Sequence, residues 1–255
     1  MASQERFGYE WDKYHSMDER YEGQFNNWTY PLQKSDFAEK AVLDAGCGMG
    51  RNSYWPLLYG AREVVAFDLD DRSVNRARLN LAKFPNFKAE LRSIYEIDYK
   101  NQFDIAFSIG VIHHLKNPKL AIKNLISSVK PSGRVAIWVY GFEGNEWVVK
   151  YVDPIRKNIT SKLPVSVVHF LSYFCSVPLW LFVKLFSKTN SYIRQLSTFK
   201  FWHLHSIVFD QLIPEVANYW KKSEVVALFN DLDISELDVH APPNGNGWIA
   251  IATKK

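Results

Sequence analysis

The stretch VLDAGCGMGRN, residues 42–52, sets three glycines at alternate positions directly after a short apolar run that ends in an acid. A strand over Ala41–Ala45 delivers Asp44 to the carboxyl edge of a sheet. Gly46, Gly48 and Gly50 then turn the chain tightly enough for a ligand to lie against bare backbone. The spacing is G-x-G-x-G, whereas the dinucleotide fingerprint is G-x-G-x-x-G, whose helix N-terminus receives a pyrophosphate. That departure disfavours a nicotinamide cofactor. Downstream, VVAFDLD, residues 64–70, ends a second strand on Asp68, where a carboxylate can accept both hydroxyls of an adenosine ribose. The two stretches together imply a ribose and no pyrophosphate.

Outward from this loop the chain alternates. Apolar runs predict strands at Ala41–Ala45, Glu63–Asp68, Phe87–Arg92, Asp104–Ile109 and Arg134–Tyr140, with helices at Asn52–Tyr59, Ser73–Phe84 and Lys119–Val129 between them. Such alternation argues for a doubly wound parallel sheet. KPSGR, residues 130–134, reads as a turn that stops a helix and launches a strand. After Tyr140 the alternation fails in a long aromatic-rich segment. It resumes with a helix near Ser223–Asn230, a strand near Ile234–Val239, a turn at 242–247 and a last strand at 248–253. The expected organisation is an N-terminal aromatic-rich helical arm or lid at 1–40, a sheet domain at 41–141 and 214–255, and a helical insertion or cap at 142–213.

The 255 residues are 47% hydrophobic, ample for a sizeable core. With 31 basic and 27 acidic residues the net charge is +4, which demands no nucleic-acid partner. Cys47 and Cys175 have no C-x-x-C spacing, so neither a disulfide framework nor a metal site is suggested, and a reducing cytoplasm is the default. The first residues carry charges and aromatics where a signal peptide needs an apolar core, so they are expected to be retained, and the sequons at Asn27 and Asn158 are then irrelevant.

In VLDAGCGMGR, VVAFDLD, FDIAFSIGVIHHLKNP (103–118) and LISSVKPSGRVAIWVY (125–140), the chain resembles the class I S-adenosylmethionine-dependent methyltransferases. The resemblance covers 41–140 and recovers weakly in the last strands. It implies a seven-stranded, mainly parallel sheet with one antiparallel strand, which suits a terminal hairpin, and S-adenosyl-L-methionine as cofactor. By that resemblance Gly46, Gly48 and the main chain of Cys47 cradle the methionine half, with Asp44 near its ammonium. Asp68 holds the ribose, Leu69 lines the adenine, Ser93 and Ile94 flank its ring, and Ser108 and Ile109 close the fourth strand beside the sulfonium. Many relatives carry an acidic pair at the third-strand end where this chain has LRSIYE, residues 91–96. Similar F-G-x-E-W openings occur in some of these enzymes, and an arm folded over the cofactor as a lid brings Tyr9 and Trp11 to it. The competing reading is an amphipathic helix packing its aromatics on the sheet domain.

Methyl transfer asks mainly for alignment in a dry site, with a base only where the acceptor must lose a proton. His113 and His114 follow the fourth strand at the ligand-binding edge and are candidate bases. The bland alternative is a pair that caps a turn. Tyr140 and Glu143 leave the fifth strand at the same edge as candidate acceptor contacts, joined by His203 and His205, for which no third ligand of matching spacing supports a metal. Residues 163–186 approach the length of a membrane span, but His169, Lys184, Pro178 and three serines favour a buried helical pair capping the pocket. Trp147, Tyr151, Phe170, Tyr173, Phe174, Trp180 and Trp202 are expected to supply its aromatic lining. The function expected is methylation of a small-molecule acceptor at oxygen, nitrogen or carbon. The alternatives are an RNA or lipid-like acceptor and an inactive cofactor-binding regulator. No nucleic-acid partner is expected, while a membrane-interface contact through 163–186 and a homodimer stay open.

Overall fold

The computed structural model describes residues 3–14, 17, 18, 21–186, 191–242, 245 and 247–255. Three helices precede the sheet: α1 (Ser3–Lys13), α2 (Tyr21–Thr29) and α3 (Lys34–Phe37). The sheet half then runs β1 (Ala41–Ala45), α4 (Tyr54–Leu58), β2 (Glu63–Asp68), α5 (Asp71–Asn80), β3 (Phe87–Leu91), β4 (Phe103–Ile109), α6 (Pro118–Ser128) and β5 (Val129–Val139). Helices α7 (Asp153–Asn158), α8 (Val165–Leu185), α9 (Ser191–Thr198) and α10 (Phe201–Leu212) follow, then α11 (Lys222–Ala227), β6 (Ile234–His240) and β7 (Trp248–Lys254).

The seven strands form one sheet in the order β3-β2-β1-β4-β5-β7-β6. All neighbours are parallel except β7, which runs antiparallel to both β5 and β6. This is the class I methyltransferase-like architecture that the resemblance implies. Because both faces are covered, β1 is buried along its whole length, and its near-continuous apolar run follows from that. One face packs on α6 and α11 through Ile122, Leu125, Ile126 and Val225, with Phe229 just after α11. The other carries Phe25, Trp28, Phe37 and Trp55 from α2, α3 and α4. Local chemistry sets the helix starts. Asp70 caps α5 by accepting from the Arg72 and Ser73 amides, and Asn117 caps α6 just ahead of Pro118.

The expected turn at 130–134 lies inside β5. Val129 pairs with Phe103 and Arg134 with Ile105, and the register slips between them where Ser132 takes a φ of 61°. Of the expected turn at 242–247, residues 243, 244 and 246 lie outside the described residues.

Helix α1 clasps both halves of the molecule. Its fully buried Arg6 donates to the carbonyls of Ser161 (3.1 Å), Leu163 (2.9 Å) and Thr160 (2.7 Å) on the cap side. On the sheet side Gly8 lies so close to the Asp70 carboxyl that a Cβ there would stand 2.1 Å from it, and Asp12 pairs with Arg76. The cap itself is built on α8 and α10. The expected helical pair broken at Pro178 is instead one 21-residue helix, α8, whose partner is α10. Pro178 removes one intrahelical bond, but it sits on the exposed side of the helix.

Candidate active site

At the carboxyl edge of the sheet the glycine loop takes φ angles of 79° at Gly46, 53° at Gly48 and 84° at Gly50, a region that disfavours any side chain. Space excludes one too. A Cβ on Gly46 would lie 2.4 Å from Val111 and one on Gly48 2.9 Å from the Trp11 indole nitrogen. The loop is pinned by Asp68, whose Oδ2 accepts from the Gly48 amide (2.9 Å) and Oδ1 from the Asp70 amide (3.1 Å). Burial raises the Asp68 carboxyl, partly offset by these amide bonds.

A cavity of about 1200 Å³ opens on this edge. It gathers Trp11, Gly46, Asp68, Leu69, Ser93, Ile94, Ile109, His114, Tyr140 and His203 from the residues expected of the sequence. Asp44, Cys47, Gly48, Ser108 and His113 stand behind its wall. Asp44 accepts from Ser53 Oγ (2.6 Å), and burial pushes its carboxyl up to about 7. Ser108 Oγ donates to the Ala45 carbonyl (2.8 Å), tying β4 to the loop.

Besides these five, three more expected residues stay away from the cavity. Tyr9 packs with His169 and Phe209 between arm and cap. Glu143 is exposed and accepts from the Lys222 amide and the Trp248 indole. His205 is buried in the seam between α8 and α10, donating Nδ1–H to Ser176 Oγ (2.7 Å), whose own proton goes to the Ser172 carbonyl. Burial there takes its imidazole down to about 4. The aromatic lining expected of the cap is also displaced. Trp147 lines the cavity, but Phe170, Phe174, Tyr151 and Trp202 face outward, and aliphatic side chains such as Leu179, Leu196, Leu204 and Val208 form the cap's wall.

The two adjacent histidines differ. His114 Nδ1 lies 2.7 Å from the Val216 carbonyl, which can only accept, so Nδ1 carries the proton and Nε2 has a lone pair. Burial lowers this imidazole to about 4, so it is neutral at pH 7. His113 Nδ1 instead accepts from the Tyr140 amide (3.3 Å), which assigns its proton to Nε2, and its ring stacks on Tyr140 at 3.7 Å. His113 is completely buried and supports Tyr140 from behind.

The structure adds a polar floor that sequence reasoning missed. Tyr219 Oη donates to Gln211 Oε1 (3.1 Å), Gln211 Nε2 donates to Tyr140 Oη (2.9 Å), and Tyr140 Oη donates to Asp210 Oδ2 (3.1 Å). This chain of bonds ends on a carboxyl that burial raises to about 6. Glu10 from α1 shares the floor, raised by burial and then by Asp210, and opposite both stands Arg51. The Arg51 guanidinium lies over the rings of Tyr21 (5.0 Å), Trp11 (5.5 Å) and Trp28 (5.7 Å). Burial and mutual repulsion favour the protonated form of both carboxyls, opposed by Arg51 at Glu10 and by Arg51 and Arg156 at Asp210. Glu10 Oε2, Gln24 Oε1 and the indole nitrogens of Trp28 and Trp138 are buried on this wall without a hydrogen-bond partner among the described residues. Among the described residues, no group of three or more His, Cys, Asp and Glu side chains is placed to hold a metal.

Residues 36–153 match the family described as "Methyltransferase domain". Over this segment, somewhat less than half of its length, the chain is similar to a methyltransferase domain, and its sheet has the class I methyltransferase-like topology. It is 31% identical over 118 residues to a tRNA U34 carboxymethyltransferase of Helicobacter pylori, covering 43% of this chain and 44% of that one. A protein of the same name from Pseudoalteromonas atlantica is 29% identical over 41% of this chain and 33% of its own. The match thus spans less than half the length of either relative. Among solved structures, the Burkholderia thailandensis 1,6-didemethyltoxoflavin-N1-methyltransferase with S-adenosylhomocysteine shares the fold with a TM-score of 0.56. That alignment has 16% identity over 91% of this chain and 78% of that one. The magnesium protoporphyrin IX methyltransferase of Synechocystis PCC 6803 aligns with a TM-score of 0.52 and 14% identity, over 87% and 77% of the two chains. The methyltransferase domain's cofactor fits the residues present: bare backbone at 46–50, the Asp68 carboxylate beside it, apolar Leu69 and Ile94, and a carboxyl-rich floor for a cationic centre. The matched family segment ends at residue 153, so α8, α9 and α10 lie outside it.

Proposed function

We propose that this chain is an S-adenosylmethionine-dependent methyltransferase acting on a small molecule held between the sheet edge and the helical cap. The observation that carries the reading is one continuous cavity joining the glycine-loop edge to the Asp210–Tyr140–Gln211–Tyr219 floor and the apolar interior of the cap. A pocket of apolar walls with a few convergent polar groups suits a compact acceptor. In this reading Asp68 accepts the ribose hydroxyls, Leu69 and Ile94 flank the adenine, and Trp11 on α1 closes over the loop to exclude water. The bound cofactor supplies an activated methyl group, and the chain's task is alignment. Tyr140 and Asp210 anchor the acceptor's polar end. His114, neutral with a free Nε2 at the cavity wall, takes the proton of an acceptor that must lose one.

A second reading, an RNA acceptor, draws on the similarity to the tRNA U34 carboxymethyltransferases. Incubation with methyl-labelled S-adenosylmethionine and fractionated cell extract separates the two. Label in a small organic fraction, lost on Tyr140→Phe or Asp210→Asn, supports the first, and label in RNA supports the second. No S-adenosylhomocysteine release with any fraction contradicts both.

A further inference from the structure

Helix α8 is long and apolar enough to cross a membrane by length and composition, yet it does not stand alone. Its buried stripe, Val165, Val168, Ser172, Ser176 and Val183, faces the rest of the fold, and Val168 packs with Phe209 and Ile213 while both serines meet His205. The opposite stripe is Val167, Phe170, Leu171, Phe174, Val177, Leu181 and Leu185, with exposures of 63% at Phe170, 68% at Phe174 and 76% at Leu185. These positions recur at helical spacing, so they form one unbroken apolar face about 27 Å long at 1.5 Å per residue. Trp202 of α10 continues it beside Tyr173. A face of this extent marks an interaction site.

The surrounding charge selects the partner. Residues 154–209 contain seven of the chain's 31 basic residues and none of its 27 acidic ones. Lys162, Lys184, Arg194 and Lys200 are exposed on α8 and the segments that flank it, whereas Arg156 and Lys157 pair with Asp153. A two-fold pairing of two copies through this face sets one basic rim against the other, which repels. An anionic lipid surface complements both features, since it takes apolar side chains into the acyl boundary and basic ones at its headgroups. The cavity reaches the same face, because Cys175 is both exposed on α8 and part of the cavity lining.

We propose that the outer face of α8 docks in the plane of an anionic membrane surface and that the acceptor is an amphiphile drawn from it, its apolar part lying against the cap's cavity wall at Leu179, Leu196 and Leu204. The docking stands on the face and its charges alone, whereas the acceptor class rests on the methyltransferase reading.

The test is flotation with vesicles of phosphatidylglycerol and phosphatidylcholine, alongside cofactor titration of the same proteins. Wild type floats with the anionic vesicles and less with pure phosphatidylcholine. Leu181→Asp and Phe174→Asp each lose about tenfold or more of the partitioning, the scale of one large apolar side chain. Lys162→Glu and Lys200→Glu each lose roughly fivefold and flatten the salt dependence. All four variants keep wild-type cofactor affinity, since none lines the cavity, and that affinity verifies their fold. Flotation without cofactor binding leaves docking standing and removes the methyltransferase reading. Absence of flotation overturns the proposal, as does a wild-type dimer that Leu181→Asp makes monomeric, or RNA binding lost on Lys162→Glu in place of vesicle binding.

Discussion

Replacing Gly8 by alanine tests whether α1 clasps the sheet domain. Alanine in the interior of an exposed helix ordinarily stabilises it by about 1 kcal/mol relative to glycine. Here the new Cβ would lie 2.1 Å from the Asp70 carboxyl, which cannot simply swing aside. That carboxyl accepts from the Arg72 amide (3.0 Å) and the Ser73 amide (3.2 Å) at the start of α5, and from the Arg72 guanidinium (2.8 Å). Losing the cap costs about 1 kcal/mol, and forcing a methyl group into a filled space costs about 1–3 kcal/mol. The net is a penalty of about 1–3 kcal/mol on the docked arm, roughly a five- to 150-fold rise in its open population by RT arithmetic. Amide exchange across residues 3–13 should accelerate by that factor, with the Tm lowered or unchanged. A raised Tm with slower exchange in α1 would refute the packing of α1 on Asp70.

Other perturbations probe the cavity and the cap seam. His114→Ala should lower kcat by about 10²-fold or more if Nε2 is the base, and the loss should shrink with an acceptor that carries no proton to lose. Gly48→Ala forces a side chain to φ 53° and against Trp11, so cofactor affinity measured by tryptophan fluorescence should drop about five- to 150-fold, by about 1–3 kcal/mol of strain. His205, with a folded pKa near 4 below its unfolded value, stays neutral while the unfolded chain takes a proton, so its contribution to stability falls as pH drops from about 6.5 to about 4. Asp44 and Asp210, raised to about 7 and about 6, act in the opposite sense over much of that range, so the readout is the difference between His205→Gln and wild type. The variant's denaturation midpoint should fall less steeply below pH 6.5, and parallel curves would count against a neutral His205.

The sheet was readable because a parallel strand buried on both faces leaves an apolar run bounded by glycine, proline or acid, as at 41–45 and 63–68, where expectation and structure share their limits. The cap was not. Residues 163–186 are apolar on nearly every side, so periodicity names no inner face, and Phe170 and Phe174, expected inside, stand outside. The polar floor was invisible for another reason. Glu10, Arg51, Tyr140, Asp210 and Gln211 come together only through the docking of α1 and α10 on the sheet edge, and no local pattern links residues 200 apart. A faint signal existed at Asp210 and Gln211, polar residues closing the otherwise apolar run IVF at 207–209.

The central claim is that the glycine loop and Asp68 hold S-adenosylmethionine, and calorimetric titration of wild type and Asp68→Ala with S-adenosylhomocysteine tests it most directly. The account predicts single-site binding by wild type, no comparable heat with NAD, and a loss in Asp68→Ala of about 1.5–3 kcal/mol, or roughly 10- to 150-fold in Kd. Equal affinity of the two proteins, or tight NAD binding by wild type, would contradict it.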